Sequence, residues 1–169
     1  MGSNTILVLS AALLAATLGA SFTPSASAGD KSVERGKYLV TLTGCGDCHT
    51  PGFFMGKPDP TRVLGGSDVG WEMPNLGIFY PPNLTPDRET GLGTWTRGQI
   101  VTAITKGQRP DGRELAPIMP WRDFAALTKS DALAIADYLK SLPPVKNKVL
   151  GPFPTNEKPI APYWKIVTP

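Results

Sequence analysis

Five consecutive residues, Cys45-Gly46-Asp47-Cys48-His49, hold all the thiol and imidazole chemistry of this chain, because it has no other cysteine and no other histidine. Cys-x-x-Cys-His is the pattern that attaches a c-type haem. Each thiol adds to one porphyrin vinyl group, and the adjacent histidine is placed to offer its imidazole to the iron from one face. Three other uses of these residues compete. A structural zinc site needs four ligands, and only Cys45, Cys48 and His49 are present. A thioredoxin-like dithiol sits at a helix start after a strand, whereas the segment before Cys45 has helical spacing. A disulfide between Cys45 and Cys48 would close too short a loop to contribute much and leaves His49 without a purpose. Haem attachment uses all three residues, and one motif implies one haem c.

With His49 on one face, no second imidazole remains for the other. The candidates for a sixth ligand are methionine, lysine, an amine, water or nothing. Met55 follows His49 too closely to turn comfortably around a haem edge. Met73 and Met119 are each followed by proline, which stiffens a loop and removes a backbone donor. Met119 lies in Ala116-Pro117-Ile118-Met119-Pro120-Trp121, between two prolines, and is the favoured ligand. A loop held in that way presents a thioether without a large ordering cost. A neutral thioether opposite imidazole raises the reduction potential. Iron ligated on both faces does electron transfer rather than bond-making chemistry, so the expected protein is an electron carrier and not an enzyme.

The compartment inferred from the first residues agrees. Residues 1–28 carry no charged side chain, Ile6 to Ala20 is apolar, and Ala26-Ser27-Ala28 forms a small-x-small cleavage site. This reads as a secretory signal with Gly29 as the first mature residue, although no Lys or Arg precedes the apolar run. A retained anchor is the competing reading, and the apolar stretch is short for a span. Covalent haem attachment in bacteria takes place outside the inner membrane, so a periplasmic location is expected. With 17 basic and 14 acidic residues, the formal charge of +3 argues against a nucleic-acid partner.

The elements that must position these residues are sparse. Eighteen glycines and eighteen prolines exceed what an ordinary helical bundle uses. No sustained period-2 alternation marks strands, so an all-α fold of few short helices and long loops is expected. A first helix is predicted from about Ser32 to Thr43, capped by Ser32, with Gly36 available for close approach of another helix. Thr96 and Gln99 form a capping box for a second helix that ends at Gly107. A short helix is expected at about Trp121 to Ala126. The last helix starts at Thr128, is lined by Ala134, Ile135, Tyr138, Leu139 and Leu142, and ends at Pro143-Pro144. Residues 29–144 form the domain. Residues 145–169, with five prolines, form an extended tail wrapped on it. Phe53, Phe54, Trp71, Phe79, Tyr80 and Trp95 are candidates for haem walls.

The helix with Gly36, the Cys45–His49 motif, the Met119 loop and the amphipathic last helix resemble class I c-type cytochromes in order. The resemblance implies a cytochrome c-like fold in which the first and last helices cross near the haem. More narrowly, Asn83-Leu84-Thr85-Pro86-Asp87, Thr90-Gly91-Leu92-Gly93 with Trp95, Arg109-Pro110-Asp111-Gly112 and Met119-Pro120 resemble the cytochrome c subunits of bacterial periplasmic alcohol, gluconate and aldehyde dehydrogenases. Those subunits often carry three haem modules, whereas this chain has one, so a small diffusible carrier is at least as well suited as a fixed subunit. The resemblance places Asn83 near the haem propionates and makes Arg109 and Arg113 candidates to pair with them. It implies redox proteins as partners: a dehydrogenase as donor, and an oxidase or another cytochrome as acceptor. The alternatives are a haem enzyme or gas sensor with a displaceable methionine, and an electron-transfer subunit within a larger dehydrogenase.

Overall fold

The computed structural model describes residues 27–167 together with Met1 and Gly2, so most of the expected signal segment lies outside the described residues. Helix α1 spans Ala28–Leu42. It begins before the predicted Ser32, because Ser27 and Asp30 make a reciprocal capping box: the Asp30 N–H donates to Ser27 Oγ and the Ser27 N–H donates to Asp30 Oδ2. Ser32 is therefore inside the helix, where its hydroxyl donates to Asp137 Oδ2 at 2.6 Å. Gly44, left-handed at φ 65°, turns the chain into α2, which spans Cys45–His49. A 3-10 turn at Phe53–Met55 packs against it.

Helix α3 spans Arg97–Lys106 with the expected Thr96–Gln99 capping box and left-handed stop at Gly107. Helix α4 is a single turn, Trp121–Phe124, and α5 spans Lys129–Ser141, capped by Thr128. Helices α1 and α5 cross at Gly36. A Cβ on Gly36 would fall 1.9 Å from the Ala134 carbonyl oxygen and 2.7 Å from Tyr138 Cβ, so only glycine permits this approach. Leu39 and Val40 of α1, Ile100 of α3, and Ile135, Ala136 and Leu139 of α5 form one core with Leu64 and Leu92 from the loops. Polar pins border the crossing: Arg35 Nε donates to Asp131 Oδ1 at 2.9 Å, and Arg97 Nη2 to Asp137 Oδ2 at 2.7 Å. Among the described residues no helix is long and apolar enough to cross a membrane.

The fold is not wholly helical, which corrects the all-α expectation. Strands β1 (Gly70–Met73) and β2 (Gly77–Phe79) form an antiparallel hairpin, and β3 (Tyr163–Trp164) pairs parallel to β1 at its other edge. Strands of two to four residues are too short to display an alternation, and β3 finds its partner far away in sequence. Met73-Pro74 serves this hairpin: Met73 pairs with Gly77, and Asn75 takes φ 62° in the turn.

The tail is wrapped on the domain. The Asn147 amide nitrogen Nδ2 donates to Gly65 O at 2.7 Å, Phe153 bridges Ile78, and Tyr80 Oη donates to Ala161 O at 2.9 Å. Four of the six aromatics expected as haem walls are engaged on this side. Phe53, Phe54 and Trp71 meet edge to face in sequence, Trp71 stacks on Trp164, and Tyr80 meets Phe153. Trp95 packs on the helical core instead.

Candidate haem-attachment site

Helix α2 is one turn long, and three loop contacts hold its C-terminal end. The Gly66 N–H donates to His49 O at 2.8 Å, the Leu64 N–H donates to Thr50 Oγ1 at 3.1 Å, and His49 Nδ1 lies 2.7 Å from Pro82 O. A carbonyl oxygen can only accept, so Nδ1 carries the proton and the Nε2 lone pair is left exposed to a ligand. His49 is 6% exposed. Burial lowers its pKa to about 4, against the smaller opposing effect of the Pro82 carbonyl, so the imidazole is neutral at physiological pH. Among the described residues no protein group hydrogen-bonds Nε2. A buried neutral imidazole oriented through one nitrogen and free at the other is what a metal ligand requires.

Both cysteines are free and half-buried. Burial raises the pKa of Cys45, outweighing its contact with Thr43 Oγ1 at 3.3 Å, and burial followed by the nearby Asp47 raises that of Cys48. A redox-active dithiol needs a depressed thiol pKa. This pair has the opposite, which argues against the competing thioredoxin-like role. Among the described residues there is no cluster of His, Cys, Asp and Glu suited to a separate metal ion.

Met119 is half-buried at the end of a turn in which its N–H donates to Ala116 O at 2.9 Å; the Trp121 N–H in turn donates to Met119 O at 2.8 Å. The loop is closed at its base by the Leu115 N–H donating to Gly107 O at 2.7 Å. The Trp121 ring lies over Gly107, where a Cβ would be 2.6 Å from the indole. Trp121 Nε1 is buried without a partner, an orphan donor whose cost is about 1–3 kcal/mol unless an acceptor arrives. The two free thiols and the oriented, open His49 Nε2 fit a covalently attached haem.

The predicted propionate neighbours fare differently. Asn83 is buried and fully committed. Its Oδ1 accepts from Thr85 N at 2.9 Å and Thr85 Oγ1 at 2.8 Å, and its Nδ2 donates to Thr90 Oγ1 at 3.1 Å and Val145 O at 2.7 Å. With both amide hydrogens used, Asn83 ties its loop to the tail and has none left for a carboxylate. Arg109 and Arg113 share the Asp111 carboxylate, and the Arg109 guanidinium lies 5.1 Å from the centre of the Trp95 ring. The Pro82 carbonyl is the functional group that sequence reasoning missed. A backbone oxygen has no side-chain signature, and only the adjacent prolines hinted at a fixed loop. A groove of about 550 Å³ between the first turn of α1 and α5 touches none of these residues. Its Arg97 and Asp137 are paired, and its Lys140 donates to the carbonyls of Gly93 and Trp95.

The cytochrome c family model matches residues 33–143, and the chain belongs to that family. It is thus an electron-transfer protein whose domain type carries covalently bound haem c. The chain is 32% identical over 145 residues to the fructose dehydrogenase cytochrome subunit of Gluconobacter japonicus, covering 83% of this chain and 28% of that one. It is 32% identical over 157 residues to the cytochrome c subunit of the quinone alcohol dehydrogenase of Gluconobacter oxydans, covering 91% of this chain and 30% of that one. A diheme c-type cytochrome of Cereibacter sphaeroides is 28% identical over 137 residues, 79% of this chain and 45% of its own length. The chain therefore spans less than a third of the two dehydrogenase subunits.

Proposed function

We propose that this chain is a periplasmic mono-haem cytochrome that carries single electrons between a dehydrogenase donor and a redox acceptor. Cys45 and Cys48 would hold the haem through thioethers, His49 Nε2 and Met119 Sδ would be the axial ligands, and Arg109 and Arg113 would stand by the propionates. The bound group supplies a one-electron Fe(III)/Fe(II) couple. The chain's own part is to orient and to exclude. The Pro82 carbonyl fixes the His49 tautomer and ring angle, and a hydrogen bond of this kind raises ligand basicity. The apolar residues Leu39, Leu64, Leu92 and Ile100 keep water away, which helps set the potential.

The observation that carries this reading is the buried His49 imidazole whose Nδ1–H is spent on Pro82 and whose Nε2 is unclaimed. The test is spectroscopic. Purified protein should show a low-spin ferrous spectrum that carbon monoxide leaves unchanged. Met119→Ala should open the site to carbon monoxide and lower the potential. Ready carbon monoxide binding by the wild type would replace the carrier with a sensor or enzyme whose methionine leaves the iron.

A second reading, a subunit of a larger dehydrogenase, is supported by the names of the relatives. A large dehydrogenase subunit that co-purifies in fixed ratio would establish it. The periplasmic part rests on the signal segment, whose junction after Ala28 lies in the first turn of α1. Removal there would take away the Ser27 cap. The intact mass of the protein from its native host tests this directly: a chain starting at Gly29 is expected.

A further inference from the structure

The net charge of the chain is not spread over it. Residues 145–169 contain Lys146, Lys148, Lys158 and Lys165 against the single Glu157, which gives +3. The other thirteen basic residues are balanced by thirteen acidic ones, so the domain proper is neutral and the tail carries the whole excess. Lys146 is paired with Glu89 at 2.8 Å, and Lys165 lies 3.8 Å from Glu72. Among the described residues Lys148 and Lys158 have no carboxylate partner, and both are exposed.

The same tail bears three strongly exposed aliphatic side chains, Ile160 at 104%, Ile166 at 75% and Val167 at 76%, and a half-exposed Trp164 at 52%. Trp164 keeps one face stacked on Trp71, with ring centres 6.2 Å apart, and turns the rest to solvent. From Trp71 the aromatic contacts continue through Phe54 and Phe53 to the turn that packs on α2, so this surface is joined to the attachment helix by touching rings. A half-exposed Trp on the same segment as exposed aliphatics and lysines offers an aromatic anchor and charged neighbours for protein docking. The segment is extended and pinned along the domain at Asn147, Phe153, Ala161 and Tyr163. Its apolar residues are thus strung along an edge, interrupted by prolines and lysines, and not gathered on the amphipathic helix by which a protein lies in a lipid interface.

We infer that the C-terminal tail, with Lys148, Lys158 and Trp164, is the docking surface for an acidic protein partner. That this partner exchanges electrons with the chain rests on the carrier reading above. A neutral body with a positive tail has a dipole, which orients an acidic partner before contact and leads it to the tail side.

The experiment uses the purified haem-loaded protein and a gold electrode coated with a carboxylate-terminated alkanethiol as the acidic surface. It is run in about 0.1 M salt, where the screening length is about 10 Å and only charges at the contact matter. Lys148→Gln/Lys158→Gln is compared with Lys37→Gln/Lys129→Gln, which removes equal charge from the domain surface. Among the described residues none of these four lysines is ion-paired. The tail variant should lower the adsorption constant roughly tenfold and the domain variant less than about twofold. Equal losses would overturn the inference, because adsorption would then follow net charge alone. Sedimentation with phosphatidylglycerol vesicles at the same salt, dependent on the same two lysines, would overturn it in favour of a lipid surface. Tail-dependent adsorption without a reversible one-electron wave would sustain the docking surface and sink the carrier reading instead.

Discussion

The α1–α5 crossing and the tail-bound sheet are both ordered, but they are ordered by different means. The crossing uses helices whose caps, periodicity and stops lie within a few residues of one another, and two backbones brought together at Gly36. The sheet is a local hairpin of strands of two to four residues whose outer edges are completed by a segment some eighty residues away. The helices carry their own caps and stops, while α2 and the shared core also draw on Leu64, Gly66, Pro82 and Leu92 from the loops. The tail is held on the sheet side by side-chain knots, of which the one around Asn83 is the best buried.

The sharpest way to break the contrast is at its first member. Gly36→Val puts a side chain where a backbone carbonyl already sits, so the helices must part. We expect a loss of about 3 kcal/mol or more in denaturant unfolding, with the tail's exchange protection falling alongside the core's. A stability within 1 kcal/mol of wild type would show that the crossing is looser than it looks.

Asn83→Ala attacks the second member. It strands the buried Thr85 N–H and leaves the half-buried Val145 carbonyl with only the 3.4 Å bond from Thr85 Oγ1, with an expected cost of about 2 kcal/mol. Hydrogen exchange should rise at the 145–153 amides and β3 well before it rises in α1 and α5. If all elements exchange together, the two halves form one cooperative unit and the distinction fails.

Thr96→Ala removes a local device of the helical half. About 1 kcal/mol is expected from loss of the α3 cap, confined to the first turn of that helix by exchange.

The smallest effect concerns Asp59 in the loop between the two halves. Its carboxylate accepts first from the Thr61 hydroxyl, then from Arg62 and the Thr61 N–H, which lowers its pKa from 3.8 to about 2. A depressed carboxylate pKa means the unfolded chain binds the proton more readily. The stabilisation is complete above the ordinary value near 4 and disappears as pH falls through about 2. The stability gap between wild type and Asp59→Asn should therefore be constant near neutrality and close over that acid range. A gap that widens on acidification would contradict the sign.

Residue types alone single out the proposed site. The thiols and imidazole form one motif, and the chain contains no other histidine, so the proposed attachment point and a non-histidine sixth ligand both come from composition. Helix α3 was readable from Thr96, Gln99 and Gly107 because capping is a three-residue interaction. Ser32 misled for the same reason: it is a good cap, but Ser27 with Asp30 is a better one, and the Asp137 that claims the Ser32 hydroxyl is distant in sequence. The family resemblance sets Asn83 beside the propionates, and the structure adds what the sequence does not show, that its amide group bonds Thr85, Thr90 and the tail.

By itself, then, the order of residues determined which atoms can hold a haem, where four of the five helices lie to within a few residues, and that a proline-rich tail must find a surface. Tertiary structure alone decided that a backbone carbonyl, Pro82 O, orients the His49 imidazole, that two distant segments complete a sheet, and that Trp164 of the lysine-rich tail stacks on Trp71 at the edge of the fold. Capping and motif spacing act over three or four residues and are written into neighbours. A carbonyl's partner, a parallel strand and a surface patch depend on where far segments meet, and that is settled by packing.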